Sequence, residues 1–193
     1  MSNTSLSPPS ETNLREAAVA HLARYASTRA GLARVLQRRI DNWARRARRA
    51  GDRDQISDQV QAAKALIDPI VERLAKAGAV DDLNFAATRS LSLTRAGRSA
   101  RAVQAHLAAK GVPAAITKET LPPDPERELG ACLVAARKRR LGPFGEAADA
   151  ETRRRELATL ARAGFSERTA RDLFRLSRDE AEEQLLLWRD RLE

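Results

Sequence analysis

Apolar residues recur along this chain every three or four positions, and no stretch alternates strictly between apolar and polar. The clearest case is the segment that begins at Thr28. Leu32, Leu36, Ile40, Trp43 and Ala47 follow one another at spacings of four, four, three and four. At about 100° per residue they form one narrow helical face. Arg34, Arg38, Arg45, Arg48 and Arg49 fall opposite. The pattern predicts a helix to about Arg49 with one buried side and one basic side. Similar periods predict helices over 11–26, 69–77, 81–95, 99–110, 149–163, 166–176 and 178–191. Two more open at Pro113 and after Asp124-Pro125. With period-2 runs absent, the expected fold is all-α.

Polar residues mark the helix ends. Thr28, Asp81 and Ser99 stand where N-caps belong, and Ser177 with Glu180 forms a capping box. The segment from Gly51 to Ser57 is a polar break, and Gly142-Pro143-Phe144-Gly145 reads as a loop. The helical stretch after the polar break contains Asp68-Pro69, where a kink or restart is expected, and Asp124-Pro125 repeats this cap-then-proline device. A repeat appears at the C-termini. Leu74 to Gly78, Leu107 to Gly111 and Leu160 to Gly164 share L-x-x-x-G. With glycine at C′ and leucine at C3, this is a Schellman ending. Three such endings, 33 and then 53 residues apart, suggest tandem three-helix modules.

Composition adds a partner class. Aromatic residues are 4 % of 193, so the core rests on Ala, Leu, Val and Ile, which suit helix packing. The formal charge is +9, and 30 of the 35 basic residues are Arg. Codon bias accounts for Arg over Lys; it does not account for the excess charge, which points to an acidic partner. The charge is concentrated. Arg24 to Arg49 holds nine Arg against Asp41 alone. A second cluster is Arg89, Arg95, Arg98 and Arg101, with Gly97 suggesting a loop between them. A third is the run 137–140, with Arg137, Lys138 and Arg140 as candidate contacts; four consecutive basic residues cannot share one helix face. The final stretch, Arg178 to Glu193, holds six acids and three bases and is expected to pack on the last module.

Catalytic chemistry is not suggested. Asp81 and Asp82 are adjacent on a helix and so do not face each other. Asp81 reads as an N-cap, and Asp82 adds negative charge to the first turn. His21 and His106 have no ligand-spaced partners. Trp43 and Trp188 lie among leucines and read as core. Cys132 sits in an apolar run and reads as buried. No phosphate loop or nucleophile elbow occurs. We expect no catalytic site, metal or cofactor. No apolar run approaches the ~18 residues of a membrane span. Met1 to Ser10 lacks a signal-peptide pattern and reads as a disordered, Ser/Pro-rich terminus. A cytoplasmic protein is expected.

Three segments, in order, carry a resemblance. Arg29-Ala-Gly-Leu-Ala-Arg-Val-Leu-Gln-Arg-Arg39 looks like S-R-x-E-L-x-x-K-L, with Gly31 in place of Glu. Gly78-Ala-Val-Asp-Asp-Leu-Asn-Phe-Ala86 resembles G-x-[LI]-D-D-x-R-[FY]-A, with Asn84 in place of Arg, and continues through Arg98 to Val112 as R-G-x-x-x-R-x-I-x-x-x-L-x-x-K-G-V. Ala136-Arg-Lys-Arg-Arg140 followed by Arg154 to Phe165 is similar to an arginine-rich helix with an L-x-x-x-G-F ending. Together these resemble the RecX family over about residues 14–176. The resemblance implies tandem three-helix modules in an elongated, curved, right-handed array, with modules at 11–77, 78–122 and 123–193. It implies a monomeric, non-enzymatic regulator of RecA, acting in DNA recombination, repair and the SOS response, whose partners are the RecA filament and the single-stranded DNA within it. No membrane or small-molecule substrate is implied. The alternative is a helical DNA-binding or architectural protein acting without RecA.

Overall fold

The computed structural model describes residues 7–50, 55–146 and 149–191. The expected disordered terminus therefore lies, for residues 1–6, outside the described residues, as does most of the break after Ala50. The described chain is all-helical: α1 (Glu11–Leu22), α2 (Arg29–Arg49), α3 (Ile56–Ala65), α4 (Ile67–Lys76), α5 (Asp82–Arg95), α6 (Ala100–Lys110), α7 (Ala114–Thr120), α8 (Pro125–Arg139), α9 (Ala150–Arg162), α10 (Glu167–Arg175) and α11 (Arg178–Asp190). A 3-10 turn, Gly142–Phe144, sits in the expected loop.

Local signals start most of these helices. The Ser10, Thr28, Asp124, Asp149, Ser166 and Ser177 side chains each accept a hydrogen bond from the amide three residues on. Asp81 does the same for Asn84 at 2.9 Å. The expected start at Pro69 is corrected. Helix α4 begins at Ile67 without a side-chain cap, so Asp68 is not its N-cap and Pro69 is its third residue. Amides of the first turn have no intrahelical acceptor, so proline is tolerated there.

At the C-termini, Gly78, Gly111 and Gly164 all have positive φ, and so does Gly97. At Gly164 both Schellman bonds form, Phe165 N to Leu160 O at 3.1 Å and Gly164 N to Ala161 O at 2.9 Å. The end of α5 makes the same pair, Arg98 N to Leu93 O and Gly97 N to Thr94 O. Leu93 to Gly97 is thus another L-x-x-x-G copy, and Gly97 lies in the loop expected between the second cluster's arginines. Helix α8 ends in the same bonds with Arg140 at the left-handed position, φ 54°.

The chain divides into two compact units, Met1–Phe85 with Lys110–Val112, and Ala86–Ala109 with Pro113–Glu193. The first unit buries Leu14 and Ala18 of α1 against Leu32, Leu36 and Ile40 of α2 and Ile67, Ile70 and Val71 of α4. Trp43, Ala44 and Ala47 pack with Ile56 in an adjoining cluster. The apolar stripe read from the sequence is therefore the buried face of α2. The second unit packs α8 against Leu160, Phe165, Leu173, Leu185 and Trp188. Helix α11 belongs to this core, and the Trp188 ring lies so close to Gly130 that an added Cβ would sit 2.2 Å from it. Cys132 is fully buried, and desolvation pushes its thiol up to about 12.

One joint occurs twice, once in each unit. In the first, Thr28 caps α2: its Oγ1 accepts from Gly31 N at 2.8 Å and donates to Lys110 O at 2.6 Å. Asp82 Oδ1 accepts from Arg29 N, the first amide of α2, at 2.8 Å. In the second, Ser99 caps α6: its Oγ accepts from Ala102 N at 3.2 Å and donates to Ala163 O at 2.7 Å. Glu128 Oε2 accepts from Ala100 N, the first amide of α6, at 2.9 Å. Each joint satisfies two orphan amides and one terminal carbonyl. In each, the accepting carbonyl precedes a positive-φ glycine, Gly111 or Gly164.

Candidate functional site

The basic side of α2 is exposed as a helical wheel requires, since its opposite stripe is buried. Arg38, Arg45 and Arg48 line a groove of about 460 Å³ with Asp41, Asn42 and Ala44 of α2 and Val60 and Lys64 of α3. Lys64 is a cation that the sequence pattern does not single out. It arrives because α3 packs on α2, which local periodicity cannot show. Arg45 bonds Asn42 Oδ1, and Asp41 takes a hydrogen bond from Gln37 at 2.9 Å. Arg49 is exposed at the end of the same helix. Among the described residues, Arg38, Arg45, Arg48 and Arg49 have no ion-pair partner.

Arg34 is placed differently. Its Nη2 donates to Lys110 O at 2.8 Å, the carbonyl that Thr28 also holds. The side chain therefore serves the first joint as well as adding charge to the helix.

The second unit holds a separate cleft of about 330 Å³, lined by Gly97, Arg98, Arg139, Thr159, Arg162 and Ala163. Three elements contribute its arginines: the turn after α5, the end of α8 and the end of α9. Of the side chains expected at a partner surface, only Arg98 is here. Arg139 is the one member of its basic run that is not among the expected contacts, and Arg162 stands in the sequence only as part of a helix ending. Arg162 Nε donates to Ala158 O and its Nη2 to Thr159 Oγ1, both at 3.2 Å.

The remaining candidates scatter. Arg89 Nε donates to His106 Nε2 at 3.2 Å. Lys138 Nζ donates to Ala96 O at 2.9 Å and so ties α8 to the end of α5. Arg95, Arg101, Arg137 and Arg140 are exposed and line neither cleft. His21 stacks on Tyr25 at 5.3 Å. Among the described residues, no three His, Cys, Asp or Glu side chains gather as a metal-holding group, and no helix is long and apolar enough to cross a membrane.

The acids that matter here are structural. Burial pushes the Glu128 carboxyl above its ordinary range, against the opposing pull of the Ala100 amide and of Arg127. The Arg127 amide, which Asp124 caps, holds the Asp124 carboxyl below its ordinary range. Neither acid lines either basic cleft.

No family model matches the chain, and no solved structure matches it. A curated relative from Myxococcus xanthus (strain DK1622), "Regulatory protein RecX", is 38 % identical over 162 residues, covering 81 % of this chain and 81 % of the relative. A match of that coverage reaches into both compact units, and at that identity the chain belongs to the RecX family.

Proposed function

We propose that this chain regulates the RecA recombinase without catalysing a reaction, by docking basic side chains on the RecA–single-strand DNA filament. It then modulates filament growth and strand exchange in recombination and repair, as a cytoplasmic monomer within the SOS response. The observation that carries this reading is its 38 % identity to a protein named Regulatory protein RecX. The uncompensated cations of α2 supply a physical means, since a filament presents phosphates and carboxylates in quantity. The repeated joint supports modules at 11–77, 78–122 and 123–193. Modules in series can touch successive filament subunits, so weak contacts add through effective concentration.

The test is titration of the chain into RecA ATPase and strand-exchange assays, with binding measured to bare and RecA-coated single strands. The parent is expected to change both activities and to prefer coated strands. Arg38→Gln/Arg45→Gln/Arg48→Gln should fold as the parent does, because these side chains lie away from the core. It should bind coated strands more weakly and with a shallower salt dependence. Equal affinity for bare and coated strands, with RecA activities untouched, would overturn the reading in favour of an independent DNA binder.

A further inference from the structure

We propose that the Arg98, Arg139 and Arg162 cleft is a preformed subsite for a phosphate group. Four observations carry this. First, three arginines line one cavity of about 330 Å³, and among the described residues no acid lines it. Among the described residues, none of the three forms an ion pair.

Second, the walls are fixed. An added Cβ at Gly97 would lie 2.9 Å from Ala135 N and 3.0 Å from Val134 Cγ1, so the turn carrying Arg98 rests directly on α8. The Ser99 hydroxyl holds the same turn to Ala163 O, and Lys138 Nζ holds Ala96 O. A charged site held this way loses little freedom when a ligand arrives.

Third, the arginines exceed what the helix ends need. Lys138 and Arg162 already donate to helix carbonyls, which is the ordinary role of cations at C-termini. Among the described residues, Arg98 and Arg139 make no such bond.

Fourth, the molecule contains its own control. Counted from the N-cap, from the glycine and from the left-handed residue that ends the partner helix, Arg98, Arg162 and Arg139 correspond to Ser27, Ala109 and Ala96. The first joint closes with the same cap and carboxylate hydrogen bonds, with Arg34 added on Lys110 O, and carries no arginine at any of these three positions. The arginines are therefore not a requirement of the joint.

The geometry favours phosphate over carboxylate. One guanidinium fork engages both oxygens of a carboxylate and leaves only their outer lone pairs in one plane, whereas a phosphate offers oxygens on several sides and takes several forks at once. The phosphate can come from a polynucleotide backbone or from a free oligophosphate. The proposal rests on the RecA reading only for preferring the first source.

The experiment compares the parent with Arg98→Gln/Arg139→Gln. This variant leaves the internal bonds of Arg162 in place. Arg154→Gln/Arg189→Gln, with the same charge change at exposed positions outside the cleft, is the control. Binding of oligo-dT is measured against salt, and thermal shift against inorganic tripolyphosphate, with no RecA present. If a backbone phosphate is bound, the variant's affinity falls several-fold below that of the control. Its log–log salt slope then becomes shallower by about 0.7 for each phosphate that is no longer neutralised. If a free oligophosphate is bound, tripolyphosphate raises the melting temperature of the parent and control but not of the variant, and the oligonucleotide curves coincide. The proposal is overturned if the variant keeps both responses. Polyglutamate displacing tripolyphosphate as effectively as phosphate compounds do also overturns it. Because RecA is absent, RecA regulation by the parent stands or falls separately.

Discussion

The joint at Thr28 and the joint at Ser99 reach one hydrogen-bond pattern with different residues. A threonine and an aspartate do in one what a serine and a longer glutamate do in the other. They differ in packing. At Gly111 an added Cβ would meet Ala30 Cβ at 2.4 Å; at Gly164 it would meet the Ser99 hydroxyl at 2.6 Å. They differ also in charge. Arg34 bonds the carbonyl of the first joint, while the second is bordered by a cleft lined with three arginines. The geometry of the joint and the charge around it are thus separable, and a sequence can keep the first while changing the second. The basic surface of this protein is laid over a structural repeat and is not itself repeated.

The largest expected effect separates the joints by packing. Gly111→Val should destabilise by about 3 kcal/mol, since left-handed strain and an overpacked contact add. Gly164→Val should cost less, about 2 kcal/mol, because the facing Ser99 hydroxyl can rotate away by giving up its own hydrogen bonds, whereas the Ala30 methyl is fixed to the backbone of α2. Denaturant unfolding of both variants decides this. A Gly164→Val cost equal to or above that of Gly111→Val would mean that the first joint is no tighter.

Removing the hydroxyls should have a smaller and more even effect. Thr28→Ala and Ser99→Ala each delete an N-cap acceptor and strip a donor from a helix-end carbonyl, for about 1–2 kcal/mol. At the first joint Arg34 still holds Lys110 O, so Thr28→Ala should lie at the lower end. If Ser99→Ala unfolds at the parent's temperature, the second joint is not held by its hydroxyl.

The smallest effect concerns pH. Burial raises the Glu128 carboxyl above its ordinary value of 4.5. A carboxyl whose folded pKa is raised binds its proton more readily folded than unfolded. The parent therefore loses stability as pH climbs from 4.5 through the raised value, and stays at the lower level beyond it. Glu128→Gln keeps an oxygen acceptor for Ala100 N and carries no charge. Relative to the parent, its melting temperature should rise across that window by a few degrees at most. A difference that shrinks as pH rises would show that folding lowers the Glu128 carboxyl instead of raising it.

Legibility follows distance along the chain. The α2 stripe, the Asp81, Asp124 and Ser177 caps and the left-handed glycines are readable, because each depends on residues within about one or two turns. Even there one local signal is easy to miss: Leu93 to Gly97 has the same form as the other three endings, yet reads as a loop among its arginines. Asp82 is legible as a first-turn acid, but not as the acceptor for Arg29, 53 residues away. The same holds for Glu128 and Ala100, separated by 28. Among the charges, Arg38, Arg45 and Arg48 are found together because one helix carries them, whereas Lys64 escapes notice because another does.

Periodicity, caps and ordered motifs are written locally, and the helices, most of their ends, the buried side of α2 and the family follow from them. What each charge does is settled by packing. It drew Arg34 onto a helix end, paired Arg89 with His106, and brought Arg98, Arg139 and Arg162 from three elements to one cleft. The physical reason is that a guanidinium's role depends on its neighbours within a few ångströms. Those neighbours are chosen by helix packing, which the chain's order leaves unstated.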